Sequence, residues 1–335
     1  MTLFNLNRPV GTIILTGILG SAIASWSCTR AEASDTSSDG DDTSRSRVLT
    51  QVVTPAVPYE VEFCGKKIDL DRMDMFERFD RELTAMTFTH GTTLATIKRA
   101  NRYFPIMAPI LKEEKVPLDL LYLACIESSL NNRALSGAKA AGLWQFMPAT
   151  AKEYGLEVSD QVDERYNTEL ATRAACRFLK KAYSSLGNWE SVAAAYNGGM
   201  NRITRELAAQ GSDTAFDLYL TDETSRYPFR MMAMKEIMEH PADYGFRLTS
   251  NDLYRPIEVE YVEVSDSVAD WPAWAADHGM TFHILRDLNP WIRAKKLDNP
   301  KNKVYKVAVA SGDALSRRKA PNPVFNPNWV IDQQL

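Results

Sequence analysis

Residues 117–130 read PLDLLYLACIESSL, and from Leu118 to Ile126 the run is apolar almost all round. Pro117 stands where a first helical residue is favoured, since its missing N–H would have no intrahelical partner there and its φ is already helical. A helix with an apolar circumference belongs in the middle of a core rather than on a surface. The chain is therefore expected to be mainly α, wrapped around this segment, and Glu127 leaves the helix where the core ends. Burial disfavours a charged carboxylate and raises its pKa, which is what a general acid working near neutral pH requires; glycoside cleavage is the chemistry that most often needs one. Position alone leaves the other outcome open, a helix-end glutamate turned to solvent.

The flanking sequence supplies helices to enclose that core. Tyr59 to Leu70 reads as a short extended or turn segment around Gly65, and MDMFERFDREL then sets Met75, Phe76, Phe79 and Leu83 at helical spacing, the pattern of a docking helix. Another helix opens at Thr93 with Leu94, Ile97 and Phe104 on one face; Pro105 and Pro109 predict an interruption, with an end near Lys115. Asn131 to Ala141 reads as a loop of small and polar residues, Pro148 starts a short helix that Gly155 closes, and a longer helix runs from Glu169 to Ser185. Asn188 is placed to cap WESVAAAY, whose Trp189, Val192, Ala193 and Tyr196 share a face, with Gly198 and Gly199 stopping it. Further helical stretches fall at Ile203 to Ala209 and Phe229 to Glu239.

The texture changes after Tyr254. IEVEYVEV alternates like a strand, WPAWAADHGM and FHILRDLNP read as short helices, and KVYKVAVA reads as a second strand. From Ser311 onward the chain is basic and then rich in Pro and Asn, which predicts a loosely held tail. At the other end, Arg8 and the apolar run Val10 to Ile23 read as an export signal too short for a comfortable membrane span. Small residues before Cys28 loosely resemble a bacterial lipobox, from which Trp26 departs; an anchored Cys28 would tie the chain to a membrane. Ser34 to Ser46, SDTSSDGDDTSRS, cannot bury enough apolar surface to fold and reads as a tether. The expected organisation is a signal over 1–28, an acidic disordered linker over 29–55, a docking segment over 56–92, the principal helical domain over 93–210, a helical extension over 211–252, a small α/β module over 253–310 and a tail over 311–335.

Charge and ligand chemistry narrow the function. A net charge of −4 and a pI near 5.7 provide no basic field for neutralising phosphates, so nucleic acid is not an expected partner. With Cys28 set aside, Cys64, Cys125 and Cys176 are an odd number, against a disulfide framework, and Cys125 and Cys176 fall on apolar helix faces. His90, His240, His278 and His283 complete no ligand set, so neither a metal nor a cofactor is expected.

ESSLNNRALSGAKAAGLWQFMPATAKEYGL, followed by AAAYNGG, resembles the signature of the soluble-lytic-transglycosylase family from about Pro117 to Ile203, with several motifs in order and at the right spacing. The resemblance implies a lysozyme-like helical domain that cuts the β-1,4 bond between N-acetylmuramic acid and N-acetylglucosamine, with peptidoglycan glycan strands as partner and the periplasmic side of a bacterial envelope as location, as an outer-membrane lipoprotein if Cys28 is anchored. It places the acid/base at Glu127 and puts Ser136 where it would orient the carboxyl or hold an acetamido group. Gln145 and Met147 would lie along the sugar groove, Tyr196 near the glutamate with Asn197 beside it, and Trp144 stands where methionine is more frequent. ETSRYPF at 223–229 resembles a family segment in which Glu223 would help hold the active-site tyrosine, with Pro228 departing from the pattern. By spacing alone, Tyr196 and Met147 equally suit core packing and Gln145 suits bonding to loop backbone.

The motifs supply no second carboxylate at the roughly 5 to 9.5 Å that ordinary glycosidases use. The implied mechanism therefore has Glu127 act twice: it protonates the leaving oxygen, then takes the proton from the muramic acid C6 hydroxyl, closing a 1,6-anhydro ring without water. A lysozyme-type hydrolase and a non-catalytic wall-binding protein are the alternatives. Residues from Leu253 to about Ala310 resemble a divergent LysM module through SDSV, Gly279, Leu285 and LNP at 288–290, which implies glycan binding, with Trp274 as either a sugar platform or core.

Overall fold

The computed structural model describes residues 52–310 and 312–332; the export signal, Cys28 and the acidic tether over 34–46 lie outside the described residues. Strands β1 (Glu60–Phe63) and β2 (Lys66–Asp69) form an antiparallel hairpin with Phe63 opposite Lys66. Cys64 at φ +50° and Gly65 at φ +79° make the tight turn, since both central positions of such a hairpin are left-handed. Helix α1 (Met73–Phe88) buries Met75, Phe79 and Leu83, three of the four residues read as its docking face; Phe76 is exposed.

Helix α2 (His90–Glu113) runs unbroken through Pro105 and Pro109, against the expected interruption. An interior proline costs about 3 kcal/mol. Phe104, Met107, Ala108 and Leu111 are all buried along the same stretch, and each large apolar side chain returns about 1.5–3 kcal/mol on burial, so packing outweighs the lost ladder bonds. A 3₁₀ turn at Leu118–Leu120 leads into α3 (Leu121–Ser128), shorter than the sequence suggests, with Leu121 to Cys125 buried and Leu118 at the surface. Cys125 and Cys176 are buried free thiols that pack as small apolar groups.

Short α4 (Pro148–Glu153) precedes α5 (Thr168–Leu186), which Asn167 caps by accepting from Leu170 N at 3.1 Å. Helix α6 (Trp189–Gly198) is capped by Asn188, whose Oδ1 accepts from Ser191 N at 2.9 Å, and α7 (Met200–Gln210) follows. Helix α8 (Asp222–Glu239) packs on α1, α3 and α6. It begins seven residues before the expected Phe229 and carries Pro228 inside it, so ETSRYPF is helical. Behind it, fully buried Glu82 of α1 accepts from Arg226 Nε at 2.6 Å and Arg230 Nε at 3.4 Å, fixing the rotation of α8.

Strand β3 (Glu260–Val264), helices α9 (Trp271–Asp277) and α10 (Phe282–Leu288) and strand β4 (Tyr305–Val309) form the expected small unit, with β3 and β4 antiparallel. Its core is shared: Val162 and Tyr166 of the helical domain pack with Trp271, Leu285, Trp291 and Val307. Asp163 N donates to Trp291 O at 2.9 Å, Arg293 N to Gln161 O at 2.9 Å, and Lys303 pairs with Glu157 and Glu164. Trp274 stacks on His278 with ring centroids 3.7 Å apart and meets Trp271 edge-on, so one of its faces is already covered.

The expectation of a loosely held tail is overturned for residues 322–332. Trp329 is 1% exposed, donates from Nε1 to Met238 O at 2.7 Å and packs on Phe104. Fully buried Asn101 of α2 accepts from Phe325 N at 2.8 Å and donates to Pro323 O at 3.0 Å, and its amide also lies 3.4 Å from Tyr254 O. One asparagine thus fastens the chain both where it leaves for the small module and where it returns. A Pro/Asn-rich composition hides two aromatic anchors here, Phe325 and Trp329.

Candidate active site

Glu127 occupies the last turn of α3, followed by Ser129 at φ +50° and Leu130 at φ +53°. Two successive left-handed residues turn the chain sharply away, leaving the carboxyl at the edge of the buried core. Ser128 Oγ lies 2.9 Å from Leu143 O and so joins this helix end to the loop 139–147. That loop is braced from beneath by Arg165, whose Nη1 donates to Lys139 O at 2.7 Å and Phe146 O at 2.9 Å while its other nitrogens grip Asp163 at 2.7 and 2.9 Å. Gly142 (φ +77°) passes so close that a Cβ there would sit 2.0 Å from Arg165 O, which excludes every residue but glycine.

Tyr227 of α8 donates its hydroxyl hydrogen bond to Glu127 Oε1. Burial pushes the Glu127 carboxyl up from 4.5 to about 7; the Tyr227 bond and the Arg230 charge pull it down, and the Glu223 charge adds a push upward. A carboxyl in this state holds its proton near neutrality and still releases it readily, the property required of one group acting first as acid and then as base. Tyr196 lies within reach of the Glu127 charge, but its hydroxyl donates to Trp144 O at 2.7 Å. It braces the loop carrying Trp144, whose buried indole in turn donates to Thr172 at 3.0 Å.

The remaining sequence-selected residues are placed as follows. Gln145 (φ +48°) spends its amide N–H groups on Gly142 O at 2.8 Å and Ala134 O at 3.3 Å, the loop-bonding arrangement that spacing also allowed. Met147 is 43% exposed beside it. Ser136 is exposed on the 131–141 loop, where its Oγ accepts from Ala140 N at 3.0 Å; it makes no hydrogen bond to Glu127 among the described residues. Asn197 accepts from Thr224 at 2.9 Å and lies 3.5 Å from Glu223, so Glu223 meets Asn197 rather than a tyrosine.

With this geometry in hand, residues 105–218 match the family model described as "Transglycosylase SLT domain". The chain carries an SLT domain. Residues 260–313 match the model described as "Soluble lytic transglycosylase C-terminal LysM-like domain". Membrane-bound lytic murein transglycosylase D of Escherichia coli, from strains K12 and O6:H1, is 32% identical over 202 residues, 57% of this chain. The chain spans 44% of the length of those relatives. A solved structure of the lytic transglycosylase Slt from Pseudomonas aeruginosa, an inactive variant, aligns at 19% identity and a TM-score of 0.34, covering 42% of this chain and 24% of that one.

The SLT domain's most direct partner of Glu127, Tyr227, was not singled out in the sequence. It lies 100 residues away, in a segment that the sequence reads as helical only from Phe229 onward. Its signal was nonetheless present in ETSRYPF, and Arg226 and Arg230 at i and i+4 point to the buried carboxylate that holds this helix. Tyr227→Phe should raise the Glu127 pKa further, because the lost bond favours the carboxylate; a bond to a charged group is worth about 1.5–3 kcal/mol, or about one to two pH units. The pH–rate profile of the variant should move upward by about that amount. An unmoved profile would show that the bond does not set the carboxyl's titration.

Proposed function

We propose that this chain is a peptidoglycan lytic transglycosylase that cleaves the bond between N-acetylmuramic acid and N-acetylglucosamine and leaves a 1,6-anhydro end. The observation that carries this reading is the desolvated Glu127, hydrogen-bonded by Tyr227 at the end of a buried helix within an SLT domain. Protonated Glu127 donates to the glycosidic oxygen as the bond to C1 breaks. The resulting carboxylate, steadied by Tyr227 and Arg230, takes the proton of the C6 hydroxyl as that oxygen attacks C1. The proton count closes on one carboxyl, and no water is consumed.

A hydrolytic reading draws on Glu223, the carboxylate whose charge raises Glu127 and which could activate water. Mass spectrometry of products from purified sacculi separates the two. Ends lighter by one water than reducing muropeptides support the transglycosylase; only reducing ends support the hydrolase.

The LysM-like module is read as adding wall affinity to this chemistry. Because Trp274 is stacked and partly enclosed, its substitution should act mainly through module stability. Cutting the chain near Asn251 would also delete Trp329 from the helical core, so a test of the module must spare residues 322–332. Among the described residues no helix is long and apolar enough to cross a membrane. Envelope attachment is assigned to a lipid on Cys28, with 34–46 as the tether that gives reach. Cys28→Ala should move the protein from the detergent-extracted membrane fraction to the soluble fraction; a mature N-terminus at Ser25 would retire the anchor.

A further inference from the structure

A second cavity, of about 710 Å³, opens between α2, the 130–133 turn that follows Glu127, and the LysM-like module; Glu127 is not among its lining residues. Its volume lies within the range of about 300–1,000 Å³ typical of ligand sites. One wall is a stripe of α2 at i, i+3 and i+7: Arg99, Arg102 and Ile106. The facing wall offers Tyr254, Tyr261 and Val304, all of them large apolar groups left open to solvent.

The charges of this lining do not balance. Of its carboxylates, Glu164 pairs with Lys303 at 2.6 Å and Asp287 with Arg133; Glu169 accepts from the Tyr261 hydroxyl at 3.1 Å and keeps its charge, against the three cations Arg99, Arg102 and Lys306. Arg99 and Arg102 have no carboxylate partner among the described residues. Arg99 donates one bond to Ser129 O at 3.0 Å and Arg102 one to Arg255 O at 3.1 Å, from guanidinium groups that each carry five N–H donors; Arg102 also lies over the Tyr254 ring, 5.5 Å from its centroid. On the same lining Asn132 Oδ1 is buried without a hydrogen-bond donor, an acceptor placed for an amide N–H.

Two arginines short of carboxylates, a bare amide acceptor and apolar walls describe a receptor for a short peptide with free carboxylates. A neutral sugar chain would leave both arginines unmatched, and the chain's net charge of −4 argues against a nucleic acid. We propose that this cavity binds the acidic peptide that branches from peptidoglycan strands, away from the bond that is cut. The choice of that peptide rests on the activity proposed above; the need for carboxylates rests on the cavity alone. Because Arg99 holds Ser129 O, two residues beyond Glu127, an occupied cavity also bears on how the catalytic helix ends.

The test is fluorescence anisotropy with the full chain and an N-terminally labelled L-Ala-γ-D-Glu-diaminopimelyl-D-Ala tetrapeptide. Saturable binding that Arg99→Gln/Arg102→Gln weakens at least about tenfold, with unchanged circular dichroism, is the expected result. Equal affinity in the folded double variant, or displacement by neutral chitotetraose, overturns it. If the double variant does not fold, a photo-crosslinking version of the same peptide on the unmutated protein decides: adducts within 99–106 or 254–261 support the site, and adducts confined to the Glu127 groove overturn it. Both readouts are equilibrium binding. A chain that binds peptide but makes no anhydro ends would sink the proposed activity alone, and one that makes them without binding peptide would sink this proposal alone.

Discussion

Glu127→Gln should lower kcat by at least about 10³-fold, because general acid or base catalysis is worth about 10²–10⁴ and in the proposed mechanism one carboxyl performs both. The amide matches the carboxyl in volume and still accepts from Tyr227, so the fold should survive. A change in stability with pH provides an independent check. The Glu127 pKa is raised by folding, from 4.5 to about 7, so its contribution is fully present below 4.5 and is lost as pH rises towards 7. The parent should lose stability relative to the Gln variant across that window and run parallel to it above. Residual muropeptide release near the parental rate would remove Glu127 from its role, and superimposable pH–stability curves would show that it is not desolvated.

Arg165→Ala should be the most damaging substitution among residues that do not touch the carboxyl. Arg165 and Asp163 are 5% and 6% exposed and paired through two bonds, and Arg165 also satisfies the carbonyls of Lys139 and Phe146. Removing it strands a buried carboxylate, at a cost of about 3–5 kcal/mol. At about 2–4 °C per kcal/mol for a domain of this size, Tm should fall by about 10 °C. Arg165→Met with Asp163→Asn should recover part of this loss, since no charge is then left buried alone. A Tm within 2 °C of the parent for the single variant would contradict the clamp. The same variant should loosen the small module, because Asp163 N also bonds Trp291 O.

What the sequence disclosed was local. The apolar circumference of 118–126 marked the central helix and the position of Glu127; Asn188 announced a cap, and alternation announced β3 and β4. What it withheld was decided by partners distant in the chain. Pro105 and Pro109 end helices on local grounds, and only the buried ring of Phe104 and its neighbours reverses that. Tyr227 acquires meaning once Glu82 fixes α8, and the partners of the Gln145 amide, Gly142 O and Ala134 O, are set only by the folded loop. The Arg165 clamp exists only because the fold sets Asp163 back beneath the loop.

The lacing of Asn101 and Trp329 also sets an order of events during synthesis. A nascent chain emerges N-terminus first, so α2 is available long before residues 322–331 exist. Until they arrive, Asn101 lacks its backbone partners and Phe104 lacks the indole that covers it. The helical domain therefore completes its core only after the small module that lies between these partners in the chain has been synthesised.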